Sequence, residues 1–361
     1  MKSKVEVATG RARSGRQLQR YLLQGVAFAV TGCLMATPKS GAGSSKLDPE
    51  SVRERAQVSA PVTVVIVTID GVRWHEVFEG VDPVLAETHG LPSSGIVGAA
   101  DLTPNLHRIV ATHGAALGAP GHGAPINASG PNFVSLPGYA ELLSGRRETD
   151  CKDNLCRGSG RRTLFDDFAA DAARDGSRAV AFTSWPDIAK VASERGPMSE
   201  PAPRADTFRP DALTADLAIQ HLRARAPKFM FLGLGEPDEY GHANDYGGYL
   251  RSLRYADQRI GEIDQILQEL SARGTRTALF VTADHGRADS FVNHGAQFPE
   301  SSRVWLIASG SALHASGYVA APKPRSLADL APTVRQISGL PRDSHPAAGA
   351  PLDELLHDGP F

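Results

Sequence analysis

Five short runs of the chain are almost continuously apolar and rich in β-branched or aromatic residues. They are VTVVIVTI at 62–69, RAVAFTS at 178–184, KFMFLGLG at 228–235, TALFVTA at 277–283 and RVWLIAS at 303–309. Runs of this length without polar alternation predict strands covered on both faces. Helical spacing lies between them. Leu250, Leu253, Ile260, Ile263, Leu267 and Leu270 fall on one helix face. Leu164, Phe165, Phe168 and Ala172 form a second stripe, with Gly176 as its expected C-cap. Strands separated by helices predict an α/β fold with a mostly parallel central sheet and helices on both faces. Ligands of such sheets bind beyond the carboxyl ends of the strands.

Polar residues gather where three of these runs stop. The first ends at Asp70-Gly71. The third ends in EPDEYGH, with Asp238 and His242 four residues apart, a spacing that lets a carboxylate and an imidazole reach one cation from a single turn. The fourth ends at Asp284-His285-Gly286, and His294 follows nine residues after His285. Ser135, in NFVSLPGYAELLSGR, stands just before Pro137 at the start of a predicted short helix, as its N-cap or the neighbouring residue. A helix N-terminus favours an alkoxide or a phosphate. Each feature alone fits an ordinary turn or cap. Together, three carboxylates in one crevice would repel or take up protons. Two divalent cations and a serine alkoxide would balance them, with the imidazoles as neutral ligands. Mixed nitrogen and oxygen donors suit zinc first, with manganese or iron as alternatives.

Composition adds location. The chain has 361 residues, 41% of them hydrophobic, enough for a large core. Its net charge of −2 offers no general attraction to nucleic acid. Lys2, Lys4, Arg11, Arg13, Arg16 and Arg20 precede the apolar stretch YLLQGVAFAVTGC, the layout of an export signal. Val30-Thr31-Gly32-Cys33 is similar to a bacterial lipoprotein box, which divides the chain into a signal at 1–33, a flexible linker at 34–60 and a catalytic domain at 61–361. A lipid on Cys33 would tether the exported protein to a membrane of the cell envelope, in the periplasm. Cys151 and Cys156 then remain as a pair that an oxidising compartment could close into a disulfide.

The ordered set of Asp-Gly, Ser-Leu-Pro-Gly-Tyr, Glu-Pro-Asp-x-x-Gly-His, Asp-His-Gly and His-Gly resembles the alkaline phosphatase superfamily, nearest its type I phosphodiesterase/nucleotide pyrophosphatase branch. The likeness spans roughly residues 60–340 and includes SLADLAPTVRQISGL. It implies a three-layer sandwich and two metal ions, usually zinc. One would take Asp70, Asp284, His285 and the Ser135 oxygen; the other would take Asp238, His242 and His294. It also implies hydrolysis of a small phosphate ester through a phosphoseryl intermediate on Ser135, with Asn154 contacting the phosphate. Three features differ from the branch: serine replaces its usual threonine, the last histidine comes early, and Asn154 is an approximate counterpart of its asparagine. Arg73, Arg146 and Arg287 lie near site segments and could cover a phosphate oxygen, although surface or ion-pairing roles are the commoner reading. His75, His89, His107, His113 and His122 are read as non-ligands. The alternatives are a sulfatase-like hydrolase, a metal-free serine hydrolase and an inactive lipid-anchored binding protein. Tyr139 stands where the sulfatase motif C/S-x-P-x-R has arginine.

Overall fold

The structure, a computed structural model, describes residues 62–147, 149–175, 179–192, 207–314 and 317–357. The predicted signal, Cys33, the linker and the Gly176 cap lie outside them. Four of the apolar runs form parallel neighbours: β1 (Val62–Ile69), β4 (Ala179–Thr183), β5 (Phe229–Leu234) and β6 (Arg276–Thr282). Every residue of β1 is buried, as its unbroken apolar pattern requires. The sheet has seven strands in the order β4-β5-β1-β6-β8-β2-β9, where β2 is Gly114–Leu117, β8 is Leu306–Ser309 and β9 is Gly317–Tyr318.

The fifth run departs from its reading as one strand. Trp305 interrupts it, turning inward to donate its indole N–H to the Val72 carbonyl at 3.0 Å. Arg303–Val304 (β7) joins a small second sheet with β3 (Ile126–Asn127) and β10 (Arg325–Ser326), whereas β8 pairs antiparallel with β6.

Helices cover both faces. Tyr246–Ala272 packs on β1 and β6, Asp211–Arg225 on β4 and β5, and Pro104–Thr112 on β2 and β8. On the opposite face, Ser135–Ser144 and Leu164–Asp175 meet β5 through aromatic rings: Tyr139 lies edge-on to Phe231, and Phe165 and Phe168 pack on Phe229. Among the described residues, no helix is long and apolar enough to cross a membrane.

The strand order positions the chemistry. β1 runs between β5 and β6, in register Ile69 beside Leu234 and Thr68 beside Thr282. Asp70, Asp238 and Asp284 leave the carboxyl ends of three adjacent parallel strands and therefore share one rim.

Candidate metal centre

Asp70 is tied to the sheet by its backbone N–H, which donates to the Leu234 carbonyl at 2.9 Å. Gly71 turns the chain away with φ at 63°, a conformation that disfavours side chains. A Cβ at Gly71 would also strike the Asp238 carboxylate. Its N–H donates to Asp284 Oδ1 at 3.2 Å. Ser135 is the first residue of its helix, with Val134 in the capping position. It is therefore the neighbour of the cap, and its hydroxyl is free to face the rim. Gly138 lets that helix rest on the β6 exit, where a Cβ would collide with the Asp284 carbonyl oxygen.

Four atoms converge. Ser135 Oγ lies 3.2 Å from His285 Nε2 and 3.4 Å from Asp70 Oδ1. His285 Nε2 lies 3.4 Å from Asp70 Oδ1 and 3.5 Å from Asp284 Oδ2. Asp284 Oδ2 is buried and makes no hydrogen bond among the described residues. An orphaned buried carboxylate oxygen is costly unless something positive faces it. A second group adjoins the first. His242 Nε2 is 3.0 Å from Asp238 Oδ2 and 3.0 Å from His294 Nε2. Asp238, His285 and His294, like Asp70, Asp284 and His285, have donor atoms within 4.8 Å of one another, so His285 is within reach of both groups.

The imidazoles are prepared for coordination. His285 donates its Nδ1–H to the Gly286 carbonyl at 2.8 Å, and His294 donates its own to the Phe133 carbonyl at 2.9 Å. Both Nε2 lone pairs are thereby directed inward, the tautomer that ligating histidines adopt. The same bond removes the metal-free triad reading, since the Nδ1 of His285 meets a carbonyl and not the carboxylate a triad needs.

The side chains alone create strong negative potential. Burial pulls His285 down, but Asp284, Asp70 and Asp238 outweigh it and push the imidazole up to about 10. Burial, reinforced by Asp70, raises Asp284 well above the carboxylate range. Burial and the neighbouring His285 lower His294 to about 3. A cluster that retains a proton so firmly is one where a divalent cation competes well, and its donor set suits such a cation.

Other predicted residues are placed as follows. Asn154 accepts the Leu136 N–H through Oδ1 at 2.9 Å, beside Ser135. It belongs to a four-residue loop closed by a Cys151–Cys156 disulfide, with Cα atoms 5.1 Å apart. Arg73 pairs with Glu76 and Asp82, and Arg146 with Asp343. Arg287 is an ion-pairing residue, but a buried one. Its guanidinium meets Asp238 and also donates to the Phe291 and Val292 carbonyls, each at 2.6 Å. Burial pushes Asp238 up, yet the His242 hydrogen bond and the Arg287 charge prevail and hold it below its ordinary value. His75, His107 and His113 bond to Glu79, the Val77 carbonyl and Asp264, while His89 and His122 pack on aromatic rings.

Sequence reasoning missed Tyr139 as a partner of the cluster. Its buried hydroxyl donates to Asp70 Oδ2 at 2.9 Å. The available signal was its spacing: four residues after Ser135, on the same helix face.

With this geometry in hand, similarity to known proteins is informative. The Metalloenzyme superfamily profile matches residues 173–341, which include Asp238, His242, Asp284, His285 and His294. A 2,3-bisphosphoglycerate-independent phosphoglycerate mutase of Natronomonas pharaonis is 28% identical over 130 residues, 35% of this chain and 24% of the relative. The enzyme of the same name from Caenorhabditis elegans is 31% identical over 152 residues, 39% of this chain and 26% of the relative. The match thus spans about a quarter of these relatives' length. Among solved structures, the phosphonate monoester hydrolase of Agrobacterium radiobacter superposes with a TM-score of 0.53 at 17% identity, covering 83% of this chain and 78% of that one. Murine ectonucleotide pyrophosphatase/phosphodiesterase 5 superposes with a TM-score of 0.51 at 14% identity, covering 81% and 100%. At these identities the two structures speak to the fold alone. The profile match and the mutase relatives make the chain similar to the Metalloenzyme superfamily over residues 173–341, on a fold like that of the alkaline phosphatase-type structures it superposes on.

Proposed function

We propose that the protein is a phosphoric ester hydrolase with a preference for diesters, acting through a phosphoseryl intermediate on Ser135. The observation that carries this reading is the meeting of Ser135 Oγ with Asp70 Oδ1, His285 Nε2 and the unpartnered Asp284 Oδ2 at a helix N-terminus. Asp70, Asp284, His285 and Ser135 would hold one divalent cation, and Asp238, His242 and His294 the other. When bound, such cations supply Lewis acidity that favours the serine alkoxide and neutralises charge on the ester and its leaving oxygen.

The chain's own residues do the rest. The helix start directs Ser135 Oγ at the phosphorus, and a new O–P bond forms as the alcohol leaves. Water then cleaves that O–P bond, releasing the phosphate monoester that keeps the second alcohol and restoring the hydroxyl. Asn154, whose Oδ1 is engaged by Leu136, keeps its amide N–H groups as donors for a phosphoryl oxygen. Arg287 alters the charge balance expected from sequence. Three aspartates and an alkoxide facing two divalent cations would be neutral; the buried guanidinium leaves one positive charge, which suits an anionic ester. The diester preference rests on the arginines. Arg73, Arg146 and Arg287 all have other partners, so none of them covers the extra charged oxygen of a monoester.

Export and lipid attachment at Cys33 belong to the same reading, and the Cys151–Cys156 disulfide supports an oxidising compartment. The test is hydrolysis of p-nitrophenyl phosphate, bis-p-nitrophenyl phosphate and p-nitrophenyl sulfate, each with and without chelator. The expected result is highest kcat/KM on the diester, lost on chelation and regained with added cation. Hydrolysis confined to the sulfate ester, or indifferent to chelator, would refute the reading.

A further inference from the structure

We infer that Tyr139 is a positioning residue for the cation held by Asp70, Asp284 and His285, an inference that rests on the metal reading above. Asp70 is buried, and its two oxygens do different things. Oδ2 accepts the Tyr139 hydroxyl at 2.9 Å, while Oδ1 faces Ser135 Oγ and His285 Nε2, both at 3.4 Å. The tyrosine thus occupies the outer oxygen and presents the inner one.

Three features make this hydroxyl an effective director. Tyr139 is fully buried, and its ring is fixed edge-on against Phe231, with centroids 6.0 Å apart. A phenol has few rotatable bonds, so it holds one geometry at low entropic cost. Tyr139 also shares a helix with Ser135, one turn on, so the element that aims the nucleophile also aims the aspartate. The phenol is neutral, unlike the guanidinium behind Asp238. The hydroxyl therefore adds no positive charge that would compete with a cation at Asp70. Without the hydroxyl, Oδ2 would be buried and unpartnered, and the carboxylate could rotate away from the arrangement that serves Ser135.

The test uses Tyr139→Phe, which keeps the ring and its packing, in a chelator-buffered Zn2+ titration of metal-stripped protein. One binding step should weaken about 10- to 100-fold, as loss of a hydrogen bond to a ligating carboxylate typically does, with the other step unchanged. The same substitution made in Asp70→Asn should have little further effect, because the hydroxyl acts through that carboxylate. Wild-type affinity at both steps in Tyr139→Phe, or an equal loss in both backgrounds, would overturn the inference while leaving the hydrolase reading intact. Absence of Zn2+ binding by the wild-type protein would instead overturn the metal reading beneath it.

Discussion

Ser135→Ala is expected to fold, to retain its cations and to lose turnover by roughly a thousandfold or more, as loss of a covalent nucleophile commonly does. The change deletes one oxygen whose neighbours are Asp70 Oδ1 and His285 Nε2. It removes no cap, since Val134 holds that position and makes no side-chain cap bond. The hydroxyl is buried against Asp70 and His285, so stability should fall by about 1–3 kcal/mol, which leaves the variant folded. Protein acid-quenched during turnover of the diester should carry the alkyl- or arylphosphoryl group on the wild-type chain and none on the variant. Full turnover by Ser135→Ala would end the covalent mechanism.

Arg287→Met carries the other large effect, on stability. The guanidinium is buried, meets Asp238 and bonds two backbone carbonyls. Its removal takes the buried cationic partner from Asp238, which keeps only its contact with His242, and leaves two carbonyl oxygens without this donor. Breaking a buried pair in this way costs about 3–5 kcal/mol. The loss should be largest in chelator, and saturating cation should recover part of it by offering Asp238 another positive partner. Thermal unfolding of both proteins in chelator and in excess Zn2+ measures this directly. Equal midpoints in chelator would show that the pair contributes nothing.

How far the sequence alone reached follows from which physics is local. Burial on both faces shows in an unbroken apolar run, so β1, β4, β5 and β6 were legible. β2 was not: Gly114-Ala115-Ala116-Leu117 has no β-branched residue and is extended through its pairing with β8 and β9. Trp305 was read as part of a strand because an apolar side chain looks the same whether it continues a ladder or turns to a carbonyl elsewhere. The site was legible as a set of strand ends. Their meeting depends on β1 lying between β5 and β6, an order no local pattern encodes. Side chains outside the helices and strands were hardest. Arg287 follows Gly286 in a loop without periodicity, and nothing near it in sequence points to Asp238, forty-nine residues earlier. Tyr139 lay on a predicted helix and was within reach of the same spacing rule that joined Asp238 to His242.

The central proposal is that the buried acids at the rim, with the imidazoles beside them, hold a pair of cations. Calorimetric titration of metal-stripped protein with Zn2+ tests it most directly. Two equivalents per chain are expected, with one lost in Asp284→Ala and the other in Asp238→Ala. No saturable binding, or two equivalents retained in both variants, would contradict the account.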